Sequence, residues 1–175
     1  MDTFYFAFQQ NSAFSNAFQA ELSFQPVQPL TIRLAYKWLE VKANYNGKLQ
    51  QQVMIPPHRI LVNAAYATRN KKWEFDATLS VFSKVRLHDV ELPTGEVLHH
   101  QYGKVFPMVL AQVTYHFRKF DAYVGGENLA NYRQANPIVS AQDPTTLQFD
   151  ATRVYAPILG RLMYIGFRYE LKNKK

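Results

Sequence analysis

The stretch Trp73-Glu74-Phe75-Asp76-Ala77-Thr78-Leu79-Ser80-Val81 decides the fold. Its odd-numbered residues are apolar and its even-numbered residues polar or charged. A period of two belongs to a β-strand, whose successive side chains point to opposite faces. The alternation recurs on both sides of this stretch. Phe18, Ala20, Leu22 and Phe24 alternate with Gln19, Glu21, Ser23 and Gln25, and Leu30, Ile32, Leu34, Tyr36 and Trp38 with Thr31, Arg33, Ala35 and Lys37. Val109, Ala111, Val113, Tyr115 and Phe117 oppose Leu110, Gln112, Thr114 and His116. Met163, Ile165, Phe167, Tyr169 and Leu171 oppose Leu162, Tyr164, Gly166, Arg168 and Glu170. Less regular versions run through Ile60, Val62, Ala64 and Tyr66, and through Ala122 and Val124 against Tyr123 and Glu127. The expectation is seven strands, over 17–25, 30–38, 59–68, 73–81, 109–117, 120–129 and 162–171, with no helix.

The connections alternate in length. Gln25 to Pro29, Arg69 to Lys72 and Arg118 to Lys119 are short; Tyr45 to Pro57, Lys84 to Phe106 and Ala130 to Leu159 are long. Consecutive antiparallel strands reverse direction, so every short turn falls on one edge of the sheet and every long loop on the other. That asymmetry, together with strands of about 9 to 11 residues, is the pattern of an up-and-down transmembrane β-barrel with short periplasmic turns and long extracellular loops. Phe24, Tyr36, Trp38, Tyr66, Trp73, Tyr115, Phe117 and Tyr169 sit near strand ends, where interfacial aromatic girdles lie. A soluble β-sandwich also alternates, but its strands are nearer 5 or 6 residues. A soluble lipid-carrying β domain stands as an alternative.

Composition narrows the rest. The 175 residues include 13 Phe, 11 Tyr and 2 Trp but no Cys, which excludes disulfides, cysteine zinc sites and thiol nucleophiles. Hydrophobic content of 47% excludes wholesale disorder, and no run reaches the roughly 18 apolar residues of a membrane helix. The start, Met1-Asp2-Thr3-Phe4, has no secretory pattern, so the expectation is a cytosolic protein or a missing beginning. The net charge of +7 falls in short clusters (Arg69, Lys71 and Lys72; Arg118 and Lys119; Lys172, Lys174 and Lys175) at turns and the tail. Those clusters form no stripe for nucleic acid, so nucleic-acid binding is not expected.

Closing a small barrel takes about eight strands. Thr3 to Gln9, with Phe4, Phe6 and Phe8 in alternation, supplies an eighth if the chain is a complete small outer-membrane barrel with a structural or adhesion role. With seven strands, two edges are unpaired inside lipid, where each bare backbone group costs several kcal/mol, and the chain belongs to something larger.

The C-terminal third carries Tyr123-Val-Gly-Gly-Glu-Asn-Leu-Ala-Asn-Tyr132, Asn136-Pro-Ile138 and Tyr155-Ala-Pro-Ile-Leu-Gly-Arg-Leu-Met-Tyr-Ile-Gly-Phe-Arg-Tyr169. These stretches resemble the end of the TonB-dependent outer-membrane receptor barrel, in which a strand ending Gly-x-Glu-Asn-Leu enters a long extracellular loop and a Pro-x-x-Gly-Arg turn opens the last strand. The motif positions are Gly125, Glu127, Asn128, Asn136, Pro137, Pro157, Gly160 and Arg161. Ser15-Asn16-Ala17-Phe18-Gln19, Ala35-Tyr36-Lys37, Pro57-His58-Arg59 and Lys72-Trp73-Glu74-Phe75-Asp76 are similar to that family's late strands. The resemblance implies a plugged barrel of about 22 strands in the bacterial outer membrane, importing a scarce nutrient (a metal chelate such as a siderophore, a cobalamin-like compound or a glycan) with energy from an inner-membrane complex. Residues 1–175 then match the C-terminal portion of the barrel, without signal peptide or plug. Their partners would be outer-membrane lipid, the remaining barrel and plug, the energy-coupling complex through the missing N-terminal part, and a small-molecule substrate. The sequence departs from the family in its polar end, Lys172 to Lys175, where the last strand would finish on an aromatic residue.

Arg33, Lys37, Glu74, Asp76, His116 and Arg168 fall on the polar phase of their strands and are expected to face the lumen. Glu74 and Asp76 point the same way, and are expected to meet Arg33 or Lys37, or a plug, rather than to perform acid/base chemistry. His88, Asp89, His99 and His100 share one long loop, where a metal-capture site is conceivable, but their spacing matches no compact ligand set and a solvated loop is expected. Gly125-Gly126 precedes no helix and so is no phosphate cradle; it is expected to admit a bulky neighbour or bend the sheet. With no nucleophile elbow or P-loop, neither an enzyme nor a resident cofactor is expected. Asn131, Tyr132, Arg133, Gln134, Asn136, Asp143, Asp150 and Arg153 populate the last long loop, which is expected either to close over a ligand or to pack on its neighbours.

Overall fold

A computed structural model describes residues 13–169, apart from 46, 93, 99–100 and 147–148. Ten strands follow one another: β1 (Phe14–Val27), β2 (Leu30–Tyr45), β3 (Lys48–Gln51), β4 (His58–Ala67), β5 (Trp73–Phe82), β6 (Val90–Glu91), β7 (Val97–Leu98), β8 (Phe106–His116), β9 (Phe120–Glu127) and β10 (Leu162–Tyr169). The seven long ones form one antiparallel sheet in the order β1-β2-β4-β5-β8-β9-β10, with β3 folded back on β2 and β6-β7 a separate small hairpin. The fold is therefore all-β and up-and-down, with each expected strand in its expected place. Among the described residues β1 pairs only with β2 and β10 only with β9, so the sheet is open at both edges. The candidate eighth strand, Thr3 to Gln9, lies outside the described residues, as does the tail beyond Tyr169.

The register assembles two chemically distinct faces. Leu22 opposes Leu34, Leu34 opposes Val62, Val62 opposes Leu79 and Leu79 opposes Val109. A parallel row runs Leu30, Tyr66, Phe75, Val113, Val124, Ile165. Directly opposed residues share a face, so the apolar phase of every strand joins into one continuous wall. Among the described residues no second layer covers it: Ile165 is 85% exposed and Phe167 78%.

The turn ends are staggered. In the frame of the row through Leu30, Tyr66 and Val113, the first hairpin closes at Leu30, the second two residues further on at Thr68, whose N–H donates to Trp73 O, and the third four residues on at Phe117, whose N–H donates to Phe120 O. A regular stagger of this kind is what tilted strands in a barrel wall require.

Two strands outrun the sequence-based bounds. β1 has 14 residues and β2 has 16. Beyond Trp38 the alternation changes phase: Glu40, Lys42 and Asn44 take the positions on the formerly apolar face, and Leu39, Val41 and Ala43 turn to the other side. Ala43 is buried there, and Lys42 Nζ pairs with Glu40 Oε1 at 2.6 Å. The strand continues, but its outer surface changes from apolar to charged. β3 reverses on β2 through Gly47, whose φ of 79° suits a residue without Cβ; Asn46-Gly47 is a strong hairpin signal in the sequence.

Glycine sites lock β9 to β10. Gly125 opposes Tyr164 and Gly166 opposes Tyr123. A Cβ on Gly125 would stand 2.5 Å from the Tyr164 ring, and one on Gly166 would stand 2.5 Å from the Tyr123 ring. Each tyrosine thus lies across the glycine opposite, and the Tyr164 hydroxyl donates to Gln112 Oε1 at 3.1 Å. Gly126 is filled in turn by Leu129 and Met163. The expectation that Gly125-Gly126 admits bulky neighbours is met. We predict that Gly125→Val, read by urea unfolding of the refolded chain, costs about 1–3 kcal/mol by displacing the Tyr164 ring. Adding Tyr164→Ala should recover part of that loss, and strictly additive costs would contradict the packing described.

Candidate functional site

The polar phase of the strands builds the second face. Register places Lys37 opposite Arg59, Arg33 opposite Asn63, Asp76 opposite Gln112, Glu74 opposite Thr114, and His116 opposite Asp121, which in turn opposes Arg168. Arg33, Lys37, Glu74, Asp76, His116 and Arg168 therefore share one face of the sheet. Their partners are local. Arg33 Nε lies 3.3 Å from Glu21 Oε1. Asn63 Nδ2 donates to both Asp76 carboxylate oxygens at 3.1 Å and to Thr78 Oγ1 at 2.8 Å. His116 stands between two carboxylates, with Nδ1 2.8 Å from Asp121 Oδ1 and Nε2 3.3 Å from Glu74 Oε2. The latter is an ion-pair approach rather than an aligned hydrogen bond.

This corrects one expectation. Glu74 and Asp76 do not meet Arg33 or Lys37, because β4 separates β5 from β2 and two strand spacings amount to about 10 Å. Asn63 on β4 fills the gap and takes Asp76 as its acceptor.

The opposite, apolar face carries aromatic rings in sequence along the turn edge. Tyr66 contacts Phe75, Phe75 stacks on Trp73, Trp73 meets Tyr115 edge-on at 4.6 Å, Tyr115 meets Phe117 at 4.5 Å, and Phe117 stacks on Phe120 at 4.3 Å. At the loop edge, Trp38 opposes His58, whose Nδ1 is 2.8 Å from the Tyr36 hydroxyl. From Leu30 to Trp38 the apolar phase spans about 26 Å along the strand, or roughly 20 Å once tilted as in a barrel, close to the apolar band of about 25 Å on outer-membrane barrels.

The packed core lies among the long loops and at the loop end of the sheet. Val85, Leu87, Val90, Phe106 and Ala156 are buried there. Phe106 stacks on Phe82 at 4.8 Å and on Tyr132 at 5.3 Å, with Tyr155 beside it. Burial, then the neighbouring Tyr155 hydroxyl, push the Tyr132 phenol above its ordinary pKa, so it stays protonated at neutral pH. Gln134, buried, ties the last loop together: Oε1 accepts from the Tyr155 and Ala156 N–H groups, Nε2 donates to Arg153 O at 2.8 Å, and its own N–H donates to Pro157 O. The last long loop thus packs on its neighbour, with the Lys104 N–H donating to the Tyr155 hydroxyl at 2.8 Å.

Four of the motif positions meet at the base of that loop. Asn128, at φ 49°, accepts from the Tyr132 N–H and donates to Tyr132 O and Leu159 O. The Asn131 carboxamide accepts from the Arg161 N–H, and Arg161 Nε donates to Leu129 O. Gly160 leaves room for the Arg133 guanidinium and Asn131, and Pro157 O receives Gln134. Gly125 belongs to the tyrosine lock, Glu127 is exposed opposite Leu162, and Asn136, at φ 47°, turns the loop ahead of Pro137. Asp143 caps a further turn, where the Thr145 hydroxyl and N–H hold its carboxyl below the ordinary range. His88 and Asp89 are exposed on the loop between β5 and β6, and His99 and His100 lie outside the described residues. Among the described residues no group of three or more His, Cys, Asp or Glu is arranged to hold a metal.

No protein-family model matches the chain, and no curated protein matches it. Among solved structures it is similar to FpvA of P. aeruginosa in complex with heterologous, iron-loaded pyoverdines, with a TM-score of 0.64 at 15% identity. The likeness covers 90% of this chain and 19% of the length of FpvA. FpvA is a TonB-dependent siderophore receptor of the outer membrane. At that identity the likeness is one of fold: the sheet is built like a run of strands from such a receptor barrel.

We predict that Asn128→Ala costs about 2–3 kcal/mol by removing three hydrogen bonds and with them the local bonding that lets asparagine hold a positive φ, and that Asn128→Gly, which needs no such support, costs less. Limited proteolysis within 129–161 should quicken in that order, while amide exchange in β4, β5 and β8 stays unchanged. Equal behaviour of the two variants would mean that the backbone conformation places no demand on this residue.

Proposed function

We propose that the chain forms part of the wall of a TonB-dependent receptor barrel in the bacterial outer membrane. In this reading the apolar face meets lipid, the polar face lines the lumen, the short turns are periplasmic and the three long loops are extracellular. The observation that carries it is the continuous, uncovered apolar face, bounded by an aromatic row at the turn edge and by the change of phase after Trp38 at the loop edge. Open edges at β1 and β10 are complemented by further strands of the same barrel, since lipid leaves bare backbone groups unsatisfied. The barrel as a whole takes up a scarce nutrient, a metal chelate, a cobalamin-like compound or a glycan. Plug and inner-membrane energy coupling come from the rest of the receptor, and this part has no catalytic role. The likeness of fold to FpvA supports this reading.

Two measurements test it. Val113 and Thr114 are adjacent on β8 and point to opposite faces. In chain refolded into lipid vesicles, Val113→Arg should lower stability by about 2–4 kcal/mol, the cost of a lipid-facing arginine near mid-bilayer, and Thr114→Arg by about 1 or less. Equal costs would reject the lipid-facing assignment. The described strands leave the barrel open, so the chain alone should run at the same gel mobility boiled and unboiled after refolding in detergent. A heat-dependent shift would favour a self-contained small barrel.

A further inference from the structure

Most charges on the polar face are matched within it: Arg33 by Glu21, and His116 by Asp121 and Glu74. Among the described residues, neither Lys37 nor Arg59 has a carboxylate partner. They stand directly opposite one another on β2 and β4, a like-charge arrangement that disfavours the sheet. The carboxylates of β5 and β9 are remote: Asp76 lies in the row of Ala65 and Thr31, six residues and about 20 Å along the strand from Lys37. Among the described residues, Glu21 is the one acidic side chain in the groove that Gln19, Arg33, Lys37, Arg59 and Leu61 also line, and it is engaged by Arg33 at 3.3 Å.

The guanidinium of Arg59 is also held in place. Its carbon lies 4.7 Å from the centre of the Phe82 ring, and Nη2 reaches Ser80 Oγ at 3.4 Å. One face of the planar group is thereby covered and one donor used, which leaves most of the fork free. Lys37 supplies a mobile point charge across from it. Both side chains are exposed. A fixed fork and a flexible ammonium at cross-strand distance suit an oxyanion that bridges them.

We propose that Lys37 and Arg59, with Gln19 beside them as a neutral hydrogen-bonding group, form a subsite for the carboxylate or phosphate group of a small-molecule ligand on the loop side of the polar face. The proposal deepens the lumen reading and rests on it. A bound oxyanion relieves the repulsion between the two cations, so the site is vacant at a cost and filled at a gain. It also fixes the order of events for an anionic solute entering from the loop edge. The solute meets the unmatched cations first and the carboxylates of β5 and β9 afterwards.

The test uses the full chain refolded in a maltoside detergent and labelled with nitrogen-15 at arginine, with the Nε–H signal of Arg59 as readout. Inorganic phosphate and citrate are titrated at ionic strength held constant with sodium chloride, with glucose as the neutral control. Both anions should shift the Arg59 signal saturably while glucose does not. Lys37→Gln should weaken the response about tenfold, as expected for loss of one charge-assisted contact, and Lys37→Arg should restore it. Shifts of equal size at every exposed arginine, or a response indifferent to Lys37→Gln, would mean ionic screening only and overturn the site. Saturation by an Asp/Glu-rich peptide without any by phosphate or citrate would overturn it in favour of a protein partner. Arginine tolerated equally at 113 and 114 with the anion response intact would reject the lumen reading and leave the subsite standing; the reverse outcome would reject the subsite alone.

Discussion

A single antiparallel ladder of backbone hydrogen bonds holds the seven long strands together, and among the described residues no layer of protein backs either face over most of its area. In water such a sheet would expose a continuous apolar wall far beyond the few hundred square ångströms a soluble surface tolerates. In lipid the same wall is at home, and the ladder becomes the strongest element of the fold, because no water competes for its N–H and C=O groups. The strict alternation, the stagger of the turns and the glycine–tyrosine lock between β9 and β10 all serve to keep that ladder in register.

Past Trp38 the surface of the sheet changes in ways that residues record. On β2 the outer surface passes from Tyr36 and Trp38 to Glu40 and Lys42 without any break in the strand. Beyond that level ordinary protein packing takes over: Phe106, Tyr132 and Tyr155 cluster, Gln134 gathers four backbone partners, and Asn128 clasps the base of the last loop. Among the described residues the conventional core is thus at the loop region, which stands over the end of the polar face where Lys37 and Arg59 lie.

Much of this was legible in the sequence because long strands with one uncovered apolar phase carry an unambiguous period. All seven long strands and the alternation of short and long connections follow from Phe18, Leu34, Phe75, Val113 and their neighbours. The turn in phase after Trp38 and the Asn46-Gly47 dipeptide, a hairpin signal, were also present in the sequence, though strand counting alone passes over them. Pairing was not legible. That Asp76 meets Asn63 and not Arg33 depends on register across three strands, and alternation excludes a slip of one residue but does not tell apart registers two residues away. Nor could the role of Gln134 be read, since its partners lie about twenty residues away and are backbone groups. Asn128, Gly160 and Arg161 were marked by resemblance alone, and their hydrogen bonds give a physical reason for those residue types.

The central claim is that one face of the sheet meets lipid and the other meets water. The chain has no cysteine, so single cysteines placed along β5 from Trp73 to Phe82 can each carry a spin label in vesicle-reconstituted protein. The account predicts accessibility to oxygen at 73, 75, 77, 79 and 81 and to a water-soluble nickel chelate at 74, 76 and 78, with a period of two. Nickel accessibility of both faces alike, with no oxygen maximum at the odd positions, would contradict it.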